Sequence, residues 1–546
     1  MSRCGALSLS GTEFIMTNKN NTNHEAAMTQ PHPPFIPADE VASGNYPAFG
    51  YLWHLGAAHV LDLDAKDAGD YEVKNAVWFD DRLRRQPARI ALIDTGLADH
   101  RNLENAVLPE LFIDLGTHEG GAAYLRRNET WDDFLHRYGA PADMPRHGPE
   151  EPRGKLPGLA DKDAVNALVD TLDLSPEEKD AFVAKMAARV EKGVVLRDVT
   201  AQDQRYPTHG TASAGLLVGS PIFEDGKAEY AAGTLPYFGV DPWSNVFSVA
   251  TSFEPEPMQL ALAVLYAYAN GADVICMPRG SDNPDKTPRP DPRKDPTSTR
   301  YDEDKAGWAL LDAVLIAVSK RVPIVCAAGN SGDDRLRYPA LLASKDDNGI
   351  IAVGAVTALA NRSGYSNYGE GLTLVAPSND SRVYNRHQQR LDWRDRAARS
   401  HNWLIHRGLD GGIVEFSHWA PVSLDIPGAR GYKGGLASRR QDASRSDFTL
   451  FGGTSAASTI VAGVVALMCR AMPAPSDMED KAHTKGALVK DALVTSAAKT
   501  LNSKNLTADV SNASDLPSGG HYEFSRMFGA GVVNAKAAIH EICRRL

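Results

Sequence analysis

Short apolar runs and helix-length apolar stretches alternate along most of this chain. Ala88-Arg89-Ile90-Ala91-Leu92-Ile93 is a compact apolar run that ends in the polar turn Asp94-Thr95-Gly96, the pattern of a central parallel strand with a carboxylate at its C-terminal end. Val246 to Ala250, Val274 to Met277, Ile324 to Ala328 and Ile350 to Val356 read as further strands, with helices over Met258 to Asn270 and Ala306 to Lys320. This alternation predicts an α/β fold, a central and mostly parallel sheet with helices on both faces. Upstream, residues 45–85 are mixed, and Trp53, Leu55, Val60, Leu61 and Trp78 are the core contacts expected there.

Two stretches interrupt the alternation. Residues 110–200 turn charged and helix-forming. Ser175-Pro176-Glu177-Glu178 has a capping serine, proline at the first helical position and glutamate three residues after the cap, and Phe182, Met186 and Val190 mark one apolar face before the stop at Gly193. With a shorter segment over Asp163 to Leu172, this predicts a helical hairpin inserted into the framework, and Met144 to Gly158 reads as an exposed loop. Residues 378–446 form a second, loop-like insertion. The first 44 residues are polar or proline-rich and read as a mobile leader, so the expected organisation is a leader over 1–44 and one α/β domain over 45–546, broken by the two insertions.

Composition narrows the function. The 546 residues are 43% hydrophobic and 23% charged with a formal net charge of -11, so there is no basic excess to neutralise phosphates and a nucleic-acid partner is not expected. Five cysteines in mostly apolar surroundings suggest buried thiols in a reducing compartment rather than a disulfide framework. The N-terminus lacks the features of a secretory signal. Met258 to Asn270 falls short of the roughly 20 residues a bilayer demands, and no segment is expected to cross one. A cytoplasmic location follows as an expectation.

The candidate chemistry lies at three turns. Phe451-Gly452-Gly453-Thr454-Ser455-Ala456-Ala457-Ser458 precedes the apolar run Ile460 to Met468, which puts Ser455 at a tight turn on the N-terminal end of a buried helix. Free backbone N–H groups there can stabilise negative charge beside the hydroxyl, although the same turn could serve packing alone. His209 heads a run of small residues, Gly210-Thr211-Ala212-Ser213-Ala214-Gly215, that reads as a helix packed closely on a sheet. Asp94 in isolation reads equally well as a ligand-facing carboxylate or a turn former. Together they supply what a serine nucleophile needs: an imidazole to take its proton and a carboxylate to orient the imidazole. His100, His118, His136 and His147 lack metal-ligand spacing and read as solvated surface, as does the charge-mixed stretch from Arg382 to Arg407.

These motifs, in the order Asp, His, Ser, resemble those of the subtilisin-like serine proteases, the subtilases. Leu92-Ile93-Asp94-Thr95-Gly96 is similar to the family's Asp motif, the stretch from His209 to Gly215 to its His motif, and Gly453-Thr454-Ser455-Ala456-Ala457 to its Ser motif. Val325-Cys326-Ala327-Ala328-Gly329-Asn330-Ser331-Gly332 resembles the segment whose asparagine donates to the oxyanion. Gly271-Ala272-Asp273-Val274-Ile275, Tyr365-Ser366-Asn367-Tyr368-Gly369, Val375-Ala376-Pro377 and Gly529-Ala530-Gly531-Val532-Val533-Asn534-Ala535 match as well. The serine loop, with Phe451, looks closest to the kexin-like branch.

The resemblance implies a subtilisin-like three-layer fold and an endopeptidase working through an acyl-enzyme, with Asp94, His209 and Ser455 catalytic and Asn330 in the oxyanion hole. It places Pro278, Arg279, Gly280, Gly329 and Thr454 against the substrate. Thr459 stands where the family usually has proline, and Cys276-Met277-Pro278-Arg279-Gly280 where it has Asn-Met-Ser-Leu-Gly. Arg279 thereby suggests a preference for acidic residues before the cut. No organic cofactor is implied; calcium is common in the family, but no calcium-loop register is present. The expected partners are protein or peptide substrates and a regulatory protein contacting residues 110–200 or 378–446. A silent scaffold that binds polypeptide through these insertions is the alternative.

Overall fold

The computed structural model describes residues 52–61, 76–83, 86–98, 100–108, 111–115, 169–170, 175–177, 179–180, 208–222, 237–251, 255, 257–281, 305–357, 362–379, 420–426, 448–473, 484–498, 500–503, 506–509 and 524–546. Among them the main sheet comprises β1 (Arg89–Asp94), β2 (Ile113–Asp114), β3 (Asn245–Ala250), β4 (Val274–Met277), β5 (Ile324–Ala327), β6 (Ile350–Val356) and β7 (Leu374–Pro377), in the order β2-β3-β1-β4-β5-β6-β7. Every pairing is parallel. The chain builds outward from β1 to β3 on one side, then crosses to β4 on the other, so β1 lies at the reversal where open α/β sheets bind ligands beyond the strand C-termini.

The strands read as unbroken apolar runs because both faces of the sheet are covered. Side chains alternate between two cores: Ile90, Leu92, Val274, Cys276, Val325, Ile351 and Val353 face one, and Ala91, Ile93, Ile275, Met277, Ile324, Cys326, Ile350 and Ala352 face the other. The first core is closed by helices α1 (Thr208–Val218), α4 (Gly453–Ala471), α5 (Lys485–Ser496) and α6 (Ala535–Arg545), the second by α2 (Pro257–Ala269) and α3 (Lys305–Arg321). The α/β architecture expected from the alternation is therefore the one observed, with helix and strand ends within a residue or so of those read from the sequence. Trp53, Leu55, Val60 and Trp78 are buried and Leu61 packs partly against the core.

Three features differ from the expectations. Helix α4 is long and apolar enough to span a bilayer, contrary to the expectation that no segment would be, yet 94% of that stretch is buried against the sheet and neighbouring helices. It is apolar all round because it is the central helix of the core. Second, β2 falls within residues 110–200, and a two-stranded antiparallel ladder of β8 (Val422–Leu424) and β9 (Phe448–Leu450) has its first strand within 378–446. Both stretches thus contribute framework strands, and β8 packs directly on α1. Third, His100 is buried rather than solvated: its Nδ1 accepts from Asn102 N–H (3.1 Å), and its ring meets Phe448 edge-on.

Of the expected hairpin, Val169 and Asp170 are helical, with Val169 buried in the second core, and Lys179 N–H donates to Ser175 O (3.0 Å), the first bond of a helix capped at Ser175. Phe182, Met186, Val190, Gly193, the 144–158 loop, the leader over 1–44, His118, His136, His147 and residues 382–407 lie outside the described residues.

Candidate active site

Residue parity along β1 aims the carboxylate. Ile90 and Leu92 face the core that holds α1 and α4, so Asp94, two residues further on, points to the same side at the C-terminal end of the strand. Helices α1 and α4 pack against each other there, and His209 and Ser455 lie in their first turns. The approach of the Asp turn to α1 requires two glycines. A Cβ on Gly210 would lie 2.0 Å from the carbonyl oxygen of Gly96, which itself has φ +107°. Ala98 N–H donates to Thr211 Oγ1 (2.9 Å) and ties the two motifs together.

His209 Nδ1 lies 2.9 Å from Oδ1 and 2.8 Å from Oδ2 of Asp94, with both side chains almost wholly buried. Burial alone would raise the Asp94 carboxyl, but the charge and hydrogen bond of His209, the positive charge of Arg279 and the Thr95 N–H (2.7 Å to Oδ1) outweigh it, so its pKa is lowered. An ionised Asp94 accepts from Nδ1–H and fixes the tautomer, which leaves Nε2 as the imidazole atom able to take a proton. Ser213 adds a further donor to the carboxylate: its hydroxyl is 3.1 Å from Asp94 Oδ2 and 2.9 Å from His209 O. One turn along α1, it reaches Asp94 Oδ2, the oxygen that also lies nearest His209 Nδ1. The His motif contained this serine, but only the fold reveals its contact with the carboxylate.

Phe451 stacks edge-on against the His209 ring at 5.2 Å, four residues before Ser455. Beneath them Cys276 meets both the Asp94 charge and the Thr459 hydroxyl; burial first, then Asp94, pushes its thiol well above the ordinary range, so it stays neutral. Thr459, in the position where proline was expected, donates to Ser455 O (2.8 Å), as does Ser458 (3.0 Å). The departure from the motif therefore removes no group from the site and adds a hydroxyl, in the second turn of α4, that binds the Ser455 carbonyl.

The backbone donors at the start of α4 can be accounted for one by one. Gly453 N–H is bound by Tyr365 Oη (2.9 Å) and Asn379 Oδ1 (3.1 Å), Thr454 N–H by Asn330 Oδ1 (2.8 Å), and Ala456 N–H by Gly452 O (3.4 Å). Of the four donors from Gly453 to Ala456, Ser455 N–H is the one with no acceptor among the described residues. Thr454 Oγ1–H also donates to Asn330 Oδ1 (3.0 Å), and Gly329 N–H donates to Thr454 Oγ1 (3.1 Å). With its oxygen held twice, the amide nitrogen of the half-buried Asn330 remains the available donor at the start of α4. Gly453, at φ +79°, leaves room for it: a Cβ there would lie 3.2 Å from Asn330 Nδ2.

The Tyr365 and Pro377 motifs supply supports that the sequence could not assign. Tyr365 O–H donates to Asn379 Oδ1 (2.6 Å), and Ser378 O–H donates to Gly453 O (2.8 Å), so three buried side chains grip the peptide before the nucleophile turn. Asn367 Oδ1 accepts from Ser331 N–H (2.8 Å) while Asn367 N–H donates to Gly329 O (3.0 Å), which holds the Asn330 loop in the same way. Beyond β4, Pro278 and Arg279 are buried and Gly280 is exposed. Arg279 is about nine-tenths buried with its charge felt at Asp94. No group of three or more His, Cys, Asp or Glu side chains that could hold a metal occurs among the described residues.

Residues 86–531 match the model of the subtilase family, and the chain belongs to that family. It is 28% identical over 244 residues to an alkaline protease of Shouchella clausii, which covers 38% of this chain and 57% of the relative. It is 30% identical over 176 residues to subtilisin Savinase of Lederbergia lenta, covering 30% and 55%. The chain thus spans little more than half the length of these relatives. Among solved structures, the epidermin leader peptide processing serine protease of Staphylococcus aureus aligns over 90% of this chain and 81% of that one, at 16% identity and a TM-score of 0.46.

Proposed function

We propose that this chain is a serine endopeptidase with Ser455 as nucleophile. In this reading Ser455 Oγ bonds to the carbonyl carbon of a peptide while its proton passes to His209 Nε2. Asp94 orients the imidazole and stabilises its charged form, and Asn330 Nδ2 with Ser455 N–H receives the oxyanion. Collapse of the tetrahedral intermediate breaks the C–N bond, with the proton passing from His209 to the departing amine. Water then repeats the sequence on the acyl-enzyme and regenerates Ser455.

The observation that carries this reading is the pairing of His209 Nδ1 with both oxygens of Asp94, at the end where α1 packs against the helix that Ser455 heads. The free Ser455 N–H supports it further, since a helix start whose other amides are bound leaves one donor for the substrate. Substrate is taken as an extended strand along Pro278 to Gly280, with Gly329 and Thr454 on its other side. Arg279 favours acidic residues before the cut, and the likeness of the serine loop to the kexin-like branch does not by itself set a basic preference. The few thiols, with Cys276, Cys326 and Cys469 buried, suit a reducing, intracellular setting. A fluorophosphonate probe tests the central claim: it should label wild type covalently and leave Ser455→Ala unlabelled. An unlabelled wild-type protein that still binds polypeptide would establish the silent-scaffold alternative.

A further inference from the structure

The two donors proposed for the oxyanion belong to different parts of the chain, Asn330 to the loop after β5 and Ser455 to the start of α4, so something must fix the distance between them. The Asn330 loop has little packing of its own. Ser331, Asp333, Asp334 and Arg335 are exposed, and hydrogen bonds to one stretch, residues 365–368, hold the loop instead. Gly332 N–H donates to Tyr365 O (2.7 Å), Ser331 N–H to Asn367 Oδ1 (2.8 Å) and Tyr368 N–H to Asp333 O (3.0 Å). In return Asn367 donates from its backbone to Gly329 O (3.0 Å) and from Nδ2 to Arg335 O (2.9 Å).

The same stretch reaches the other donor. Tyr365 Oη accepts from Gly453 N–H (2.9 Å), two residues before Ser455, and Ser366 Oγ accepts from Ala355 N–H (2.9 Å) on β6. Tyr365, Ser366 and Asn367 are each no more than 2% exposed. Residues 365–367 thus form a buried strut, fixed to the sheet, with the nucleophile turn bound at one end and the Asn330 loop at the other.

Asn367 is the member whose side chain carries the loop. Its carboxamide crosses the loop as an extra peptide group would, accepting from residue 331 and donating to residue 335. The opposite orientation would set an NH2 against an N–H and an oxygen against a carbonyl, so these contacts fix which way the amide points. It binds the residue on each side of Asn330, Gly329 and Ser331, and acts on the donor through the backbone. Gly329 has φ +117°, and a Cβ there would lie 2.7 Å from Asn367 Nδ2, so the loop rests directly on the carboxamide.

We propose that Asn367 is a positioning residue, which holds Asn330 Nδ2 where the oxyanion forms and at a fixed separation from Ser455 N–H. The inference rests on the endopeptidase reading and adds to it a residue that touches neither substrate nor the reacting atoms. A donor displaced by about 1 Å loses much of its hold on the transition state, while binding of the ground-state substrate changes little.

The test is peptide hydrolysis by wild type, Asn367→Ala, Asn330→Ala and the double variant, with circular dichroism and thermal unfolding on each. Asn367→Ala should lower kcat about 10- to 100-fold with KM little changed, and affinity for a peptide boronate should fall in step with kcat. In the Asn330→Ala background the same change should cost less than about 3-fold, because the donor it positions is already gone. Asn367→Asp keeps the acceptor for Ser331 N–H and loses the donor to Arg335 O. Its kcat should fall between those of wild type and Asn367→Ala, and it carries the same cycle if Asn367→Ala does not fold. Equal losses of kcat with and without Asn330, a loss confined to KM, or a folded Asn367→Ala with wild-type kcat each overturn the assignment and leave the endopeptidase reading intact. A wild type that neither cuts peptides nor reacts with fluorophosphonate overturns that reading instead.

Discussion

Asn330 Oδ1 accepts two hydrogen bonds from Thr454, one from its backbone N–H at 2.8 Å and one from its hydroxyl at 3.0 Å. The residue before the proposed nucleophile thus fixes the carboxamide of the proposed oxyanion donor. Because both bonds end on the oxygen, they set the amide orientation, and the ordering entropy of that donor is met before substrate arrives. Asn330→Ala should therefore lower kcat about 100- to 1000-fold with little change in KM. Steady-state kinetics on one peptide decide it, and a large KM effect with kcat preserved would move Asn330 from the oxyanion to substrate binding.

The Asp94–His209 pair predicts how losses combine. Ser455→Ala, His209→Ala and Asp94→Ala should each remove nearly all peptide hydrolysis while leaving a folded protein. His209→Ala with Ser455→Ala should be hardly worse than the worse single change, since the proton transfer needs both. Circular dichroism checks the fold and residual turnover checks the coupling; multiplicative losses would mean that the two residues act separately.

Tyr365, Ser378 and Asn379 hold Gly453 through both its N–H and its C=O, which makes the free Ser455 N–H a product of the fold rather than of the loop alone. Tyr365→Phe removes one hydroxyl, leaving Gly453 N–H to Asn379. It should cost about 0.5–1.5 kcal/mol of stability and lower kcat by several-fold, and affinity for a peptide boronate, which mimics the tetrahedral state, should fall in step with kcat. Weakened stability with boronate affinity unchanged would reduce Tyr365 to a packing role.

Much of this was legible because the decisive signals are local. β1, β4, β5 and β6 are apolar runs with a forced two-sided burial, and Asp94, His209, Asn330 and Ser455 follow strands or open helices whose turns need particular small residues. What escaped depends on chain segments far apart in sequence. Two-residue β2 has too few positions to show a period, and β8 and β9 pair across a long stretch without regular pattern. Helix α6 was identifiable in principle, since Asn534 caps it by accepting from Ala537 N–H (3.0 Å). His100 was misjudged because the absence of metal spacing says nothing about burial, which here comes from the distant Phe448. The Ser213 and Tyr365 contacts required the packed molecule, as neither is implied by spacing alone.

His54 gives the fold a sign in its pH dependence. It lies fully buried in the short helix Trp53–Ala57, with neither ring nitrogen hydrogen-bonded, and burial lowers its pKa from 6.5 to about 3. Between those values the unfolded chain binds a proton at this residue and the folded chain does not. Stability is then full above pH 6.5 and is lost as pH falls toward 3, at up to ~1.4 kcal/mol per pH unit from this residue. The lowered carboxyl of Asp94 adds loss of the same sign at the acid end, so the total slope does not isolate His54. His54→Leu does, because it deletes the titration while keeping an apolar side chain in an apolar site. Denaturant unfolding at pH 7 and pH 4.5 should show the variant losing less stability between the two than wild type does, by about 2 kcal/mol or more if the residue stays neutral throughout. Equal losses in the two proteins would mean that water or a partner reaches the imidazole when it is protonated.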